Sequence, residues 1–396
     1  MLTLLKFITS CKDKKEYFPR DKYFQIRNNR RARILYFCRR KSSSDVELSN
    51  DMESLEKRGH DLGKEGRHWL LPIILGGVLL LSMLVAACIG VISIPMNVIL
   101  QSLGQKVGLF SNVQIADYHQ VTLWQLRIPR IVMSALAGAS LAICGGVFQS
   151  IFRNPVCDPY ILGISSGASL GAAIAFILGW DAALFGITLP ALITALLTLL
   201  LILGIARIKG KHNTNTLLLI GIALNFFISA VITLLVVVIQ KEMHKIYFWT
   251  MGSLTHVSWL EIGWLLPIMI ACIFILFYYS KSLNIMQVGT ETAQTLGIDT
   301  RKTTYIVLIT SSVLISVVVS FCGSIGFIGL IMPHVARLLF GSNNRRLFTY
   351  SLFFGAFFLL IADTLARTIA APAELPVGSI TALAGAPYFI YLILKK

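Results

Sequence analysis

Several stretches of this 396-residue chain carry side chains in arrangements that chemistry uses. The stretch GISSGASLG (163–171) contains Gly163-x-Ser165-x-Gly167, the spacing of a serine nucleophile elbow. Such an elbow attacks acyl carbons when a histidine and a carboxylate complete it. His334 and Asp363 are available, but no spacing places them beside Ser165. The elbow also needs a strand–turn–helix context, whereas this stretch opens an apolar run. Gly163, Gly167 and Gly171 recur every four residues, which predicts one smooth helical face for close packing. GIARIKGKHN (204–213) has the look of a phosphate loop. Five residues separate Gly204 from Gly210, however, and His212 stands where a magnesium-holding Ser or Thr is needed. With no other GxxxxGK[ST], the chain has no Walker-type ATP site of its own. Asp363 lies within an apolar run, where a carboxylate can serve a proton relay. Arg367, one helical turn on, predicts an ion pair near the membrane rim instead. The seven cysteines (11, 38, 88, 144, 157, 272, 322) form no CxxC and no His/Cys cluster, so no metal site is predicted.

LRIPR (126–130) poses a different question. Proline is favoured in a first helical turn, so a helix start is predicted here. Arg127 and Arg130 then sit at the positive end of a helix dipole, where each cation costs about 0.3–1 kcal/mol at a surface.

The elements that must position these residues are apolar. The chain is 56% hydrophobic and 14% charged, against about 25% charged for ordinary soluble domains. Apolar stretches of about 20 residues recur from Trp69 onward, which predicts an all-α polytopic membrane protein. Ten spans are predicted: 69–93, 129–152, 159–179, 185–206, 215–239, 259–280, 303–322, 325–341, 348–367 and 376–394. The eighth is interrupted by Gly326, Gly329 and Pro333. Residues 1–68, with seventeen Lys/Arg against ten Asp/Glu, read as a basic, disordered cytosolic tail. The net charge of +16 is spread over this tail and short loops rather than one basic domain, so nucleic-acid binding is not predicted. An even number of spans puts both termini on one side. Placing them inside leaves eleven basic residues in inner loops and six outside, as the positive-inside rule requires. Arg127, Arg130 and Arg367 are then on the outer side. The outer segment 240–258 carries His244 and His256 beside Tyr247 and Trp249, an interfacial belt. The inner segment 281–302 predicts a short polar helix.

At this point the residues resemble a known family. LWQLRIPRIVMSALAGASLAICGGVFQSIFRNPVCDPYILGISSGASLGAA (123–173) is similar to the FecCD-type, or type II, permeases of bacterial ABC importers for iron–siderophores, heme and vitamin B12. WTMGSLTHVSW (249–259), ETAQTLGID (291–299), GSIGFIGLIMPHVARLLFG (323–341) and LIADTLARTIAAPAELPVGSITALAGAPYFIYLIL (360–394) carry the same resemblance, which runs from Trp69 to Lys396. It implies a homodimer of ten-span subunits in the cytoplasmic membrane. Two cytosolic ATPase subunits would hold the ATP and magnesium, and an extracytoplasmic substrate-binding protein would dock above. By matching position, Arg127, Arg130 and Arg367 would face acidic residues of that binding protein. Glu291, Ala293, Leu296 and Gly297 would contact the ATPase, and Asn213, Thr214 and Asn215 would form the inner gate. Spans five and ten would line the pathway. The implied cargo is an iron chelate, ferric siderophore or heme, with cobalamin as the alternative. A proton-coupled secondary transporter using Asp363 is the rival from another class. The basic tail and Val156-Cys157, where Leu-Ala is commoner, depart from the family pattern.

Overall fold

A computed structural model describes residues 70–90, 92–106, 108, 116–208 and 214–394. The predicted tail, 1–68, lies outside the described residues. Thirteen helices are described. They are α1 Leu70–Cys88, α2 Met96–Lys106, α3 Asp117–Ile151, α4 Ile164–Ile177, α5 Thr188–Ile208, α6 Thr214–Val238 and α7 Met243–Thr250. After these come α8 Trp259–Val288, α9 Thr290–Thr295, α10 Thr300–Cys322, α11 Ile328–Phe340, α12 Asn344–Thr368 and α13 Val377–Leu394. Each of the ten predicted spans holds one helix. The short helices α2, α7 and α9 fill the three longer connections.

α3 is the axis of the molecule. In its most apolar stretch 89% of residues are buried, against 11% in α1 and 17% in α6, which lie at the periphery. Small residues let its neighbours approach to backbone contact. A methyl group on Gly145 would sit 1.7 Å from the Gly329 carbonyl oxygen of α11. One on Gly138 would sit 2.2 Å from the Gly355 carbonyl oxygen of α12. Gln149 donates to the Leu330 carbonyl at 3.0 Å, in the turn that Pro333 disturbs.

Three expectations change. No helix starts at LRIPR: α3 runs unbroken from Asp117, with a π-helical turn from Thr122 to Arg127. Pro129 lacks an N–H and crowds the carbonyl four residues back. The widened turn, with Ile128 N–H bonded to Leu123 O, absorbs it. The dipole penalty on the arginines therefore does not arise. Second, the glycine face is split. Gly163 is left-handed (φ +74°) and ends the Pro159–Leu162 3-10 turn, packing near Gly221 of α6. Only Gly167 and Gly171 face α5, at Thr198 and Pro190. Third, the sixth span is longer than predicted, since α8 continues to Val288.

α4 has only 14 residues, about 21 Å of helix against a hydrocarbon thickness of ~30 Å. The turn Pro159–Leu162 makes up length ahead of it. Its non-helical backbone is tolerated because protein covers it: Pro159 and Leu162 are buried, with Gly329 against one and Gly221 against the other.

Candidate functional site

The arginines of LRIPR are buried, and their partners belong to this chain. Arg127 and Arg130 are 6% and 7% exposed. Arg127 donates to the Ala87 carbonyl at 2.8 Å and to the Ile92 carbonyl. Gly90 makes room for it, since a methyl there would lie 2.9 Å from the guanidinium. Arg130 uses its fork on two acids. Nε meets Asp363 Oδ1 at 2.8 Å and a terminal nitrogen meets Glu374 Oε2 at 2.7 Å. Arg367 Nε stands 3.2 Å from the other Asp363 oxygen. Thr255 donates to Glu374 at 3.1 Å, so this carboxylate joins α3 to two connections, 251–258 and 369–376.

The predicted ion pair of Asp363 with Arg367 is present and lies inside the protein: the Asp363 side chain is 0% exposed. Burial of that carboxylate is made tolerable by two guanidinium groups. Glu374 is the member that reaches water, with 35% of its side chain exposed. Burial pushes its carboxyl up, but the hydrogen bond and charge of Arg130 outweigh this and hold it below its usual range. Three cations against two anions leave the cluster positive.

At the opposite end of α3, Arg153 is left-handed (φ +51°) and donates to the Met286 carbonyl at 2.5 Å, tying the ends of α3 and α8 together. The next element, α9, is short and mostly exposed. Glu291 points out, Ala293 is buried and anchors the helix, and Leu296 is 64% exposed beside Gly297 (φ +81°). An exposed leucine and carboxylate on one anchored turn make a small amphipathic knob. Thr214 and Asn215 open α6, and Asn213 lies outside the described residues.

A third feature is a cavity of about 540 Å³ between α4, α6 and α7. Ser166, Ser169, Asn225, Ser229, Thr233 and Thr250 line it, among apolar neighbours. α13 contributes no side chain to it. The Ser165 hydroxyl donates to Ser324 at 2.7 Å, and Asp363 is committed to arginines. The residues of the notional serine triad are thus separately engaged. Asp363 is equally ill-placed for cycling a proton, because a guanidinium lies against each of its oxygens.

The FecCD transport family model matches residues 78–395. The chain belongs to the FecCD transport family. It is an ABC importer permease of that family. Among relatives, it is 42% identical to a cobalamin import system permease of Halobacterium salinarum, over 70% of this chain and 75% of that one. It is 36% identical to a hemin transport system permease of Yersinia pestis, over 69% of this chain and 84% of that one. A solved structure described as an inward-facing metal-chelate type ABC transporter superposes with a TM-score of 0.73 at 30% identity. It covers 83% of this chain and all of that one. Within this FecCD permease, Glu374 is the site member that sequence reasoning missed. The signal was present as an isolated acid in APAELP, just ahead of the last span.

Proposed function

We propose that this permease carries an iron chelate, a ferric siderophore or heme, across the cytoplasmic membrane into the cell, with cobalamin as the alternative cargo. The family match over residues 78–395 carries this reading, and the named relatives span both chemistries. Two copies of the chain form the pathway. ATP is hydrolysed by two separate cytosolic subunits, since the sequence has no Walker motif of its own. Both termini face the cytosol, which puts α9 inside and the Arg130 cluster outside. Glu291 and Leu296 are the contacts for the ATPase, with Ala293 and Gly297 fixing the turn that presents them. Asn213, Thr214 and Asn215 form the inner gate.

A binding protein docks on the outer face through acidic residues. The burial of Arg127, Arg130 and Arg367 adds a condition to that step. An incoming carboxylate reaches Arg130 most directly through Glu374, its one water-exposed partner. Docking is thus an exchange of carboxylates.

The test is reconstitution. The full chain is co-expressed with its genomic neighbours, purified, and placed in proteoliposomes with labelled chelates. Co-purification of an ATPase and ATP-dependent accumulation of a chelate is the expected result. Accumulation driven by a proton gradient without ATP refutes the reading.

A further inference from the structure

Thr290 at the start of α9 and Thr300 just beyond that helix border a cavity of about 630 Å³. The ends of α3, α5 and α8 and the starts of α6 and α10 complete its wall. Two arginines border it, Arg153 from the end of α3 and Arg301 from the start of α10. Among the described residues, no Asp, Glu, Lys or His does.

Glu291 and Asp299 are close in sequence, yet neither reaches the cavity. Asp299 caps α10, accepting the Lys302 N–H at 2.9 Å. Arg153 donates to the Met286 carbonyl, a neutral group, so its charge stays uncompensated. Arg301 is exposed and has no ion pair or hydrogen-bond partner among the described residues. Helix ends of both signs meet here, so their dipoles oppose one another. The side chains decide the potential, with two cations and no anion. The hydroxyls divide into two kinds. Ser150 and Thr304 are bonded to the Gly146 and Thr300 carbonyls, each at 2.8 Å. Thr300 accepts from the Gln294 amide at 3.4 Å and keeps its own proton. The Thr290 hydroxyl has no partner among the described residues. Thr290 and Thr300 can therefore donate.

Two uncompensated guanidinium groups and two donor hydroxyls suit an anion with a charge near two. A single carboxylate would leave one cation unpaired. A phosphate group carries about −1.5 to −2 at neutral pH and three strong acceptor oxygens, which guanidinium forks grip through paired hydrogen bonds. Much of the remaining wall is apolar, through Ile151, Phe152, Leu217, Met286 and Leu308. That leaves room for an organic group beside the phosphate. The volume is within the range of small-molecule sites, roughly 300–1,000 Å³.

We propose that this cavity binds the phosphate group of an organic phosphate, between Arg153 and Arg301. The bound phosphate ties the start of α10, directly after α9, to the end of α3. It does so beside Leu217, in the first turn of α6. The site goes beyond the permease reading and is the same for any cargo. Its phosphate comes from an anionic lipid headgroup or from a soluble phosphate ester, and the experiment separates the two.

The full chain is placed in lipid nanodiscs. In one arm, discs of phosphatidylcholine are dialysed against radiolabelled glycerol 3-phosphate and then AMP. In the other, the chain is released from discs of mixed phosphatidylglycerol and phosphatidylcholine, and the retained lipid is counted by native mass spectrometry. One phosphate-bearing molecule per chain in either arm is the expected result, and the arm names the source. Arg301→Gln removes a side chain without a partner, so the fold is kept. It weakens the binding roughly tenfold or more, as loss of a charge-assisted hydrogen bond does. Lys302→Gln, next in sequence and outside the cavity, leaves binding unchanged. Silence in both arms overturns the proposal. If Arg301→Glu then also loses a co-purified ATPase, the cavity belongs to an acidic side chain of that partner. Binding that survives Arg301→Gln, or that falls equally with Lys302→Gln, reports diffuse surface charge and overturns the proposal as well.

Discussion

Asp363→Asn is the sharpest perturbation of the charge cluster. The substitution keeps the volume of the side chain and one oxygen that accepts from Arg130 Nε, now 2.8 Å away. It removes the charge that Arg367 faces at 3.2 Å. Arg367, with a side chain 6% exposed, is left with the Thr364 hydroxyl at 3.4 Å. Removing one partner of a buried ion pair costs about 3–5 kcal/mol, because the other charge stays buried. That is about two to three and a half orders of magnitude in the unfolding equilibrium. Glu374→Gln is the control. Its side chain is 35% exposed, so water screens the loss and about 1 kcal/mol is expected. The assay is equilibrium unfolding of the full chain in mixed micelles, followed by tryptophan fluorescence. Adding Arg367→Gln to Asp363→Asn removes the stranded cation and recovers a large part of the loss. The reasoning fails if Asp363→Asn costs no more than Glu374→Gln, or if the second substitution deepens the defect.

Other outcomes follow from the same geometry. Glu374→Gln tightens docking of the cognate binding protein severalfold at low salt, whereas Arg130→Glu abolishes it; surface plasmon resonance at two ionic strengths reads both. Because the Glu374 carboxyl is held below its ordinary 4.5, its contribution to stability is present above that pH. The contribution is lost as pH falls through the lower folded value, so the gap between wild type and Glu374→Gln closes in acid. Gly145→Ala puts a methyl 1.7 Å from a backbone oxygen and collapses the yield of folded protein, while Gly204→Ala meets nothing within 4 Å and is tolerated. Leu296→Ser and Glu291→Lys, both at exposed positions, lower co-purification of the ATPase without lowering membrane yield.

Hydropathy made the ten spans legible, because each must bury its backbone hydrogen bonds within itself. Boundaries were less so. Pro129 reads as a helix start on local grounds, and only a π turn, which has no sequence signature, lets α3 pass through it. Gly163 shares the spacing of Gly167 and Gly171 but serves a turn, since a repeat of four does not reveal where helical φ begins. The pairing of Asp363 with Arg367 is local and was readable. That of Arg130 with Asp363 and Glu374 spans more than 230 residues and depends on α3 and α12 lying side by side.

The glycine contacts of α3 bear on how this permease moves. Where two backbones touch through missing side chains, neither helix can slide or roll without an atom of one entering the other. α3, α11 and α12 are therefore welded into a single rigid frame by Gly145 with Gly329 and Gly138 with Gly355. α6 has no comparable weld to that frame, and its apolar stretch is 17% buried. Any alternation between outward and inward access is then concentrated in α6, pivoting against a fixed mast.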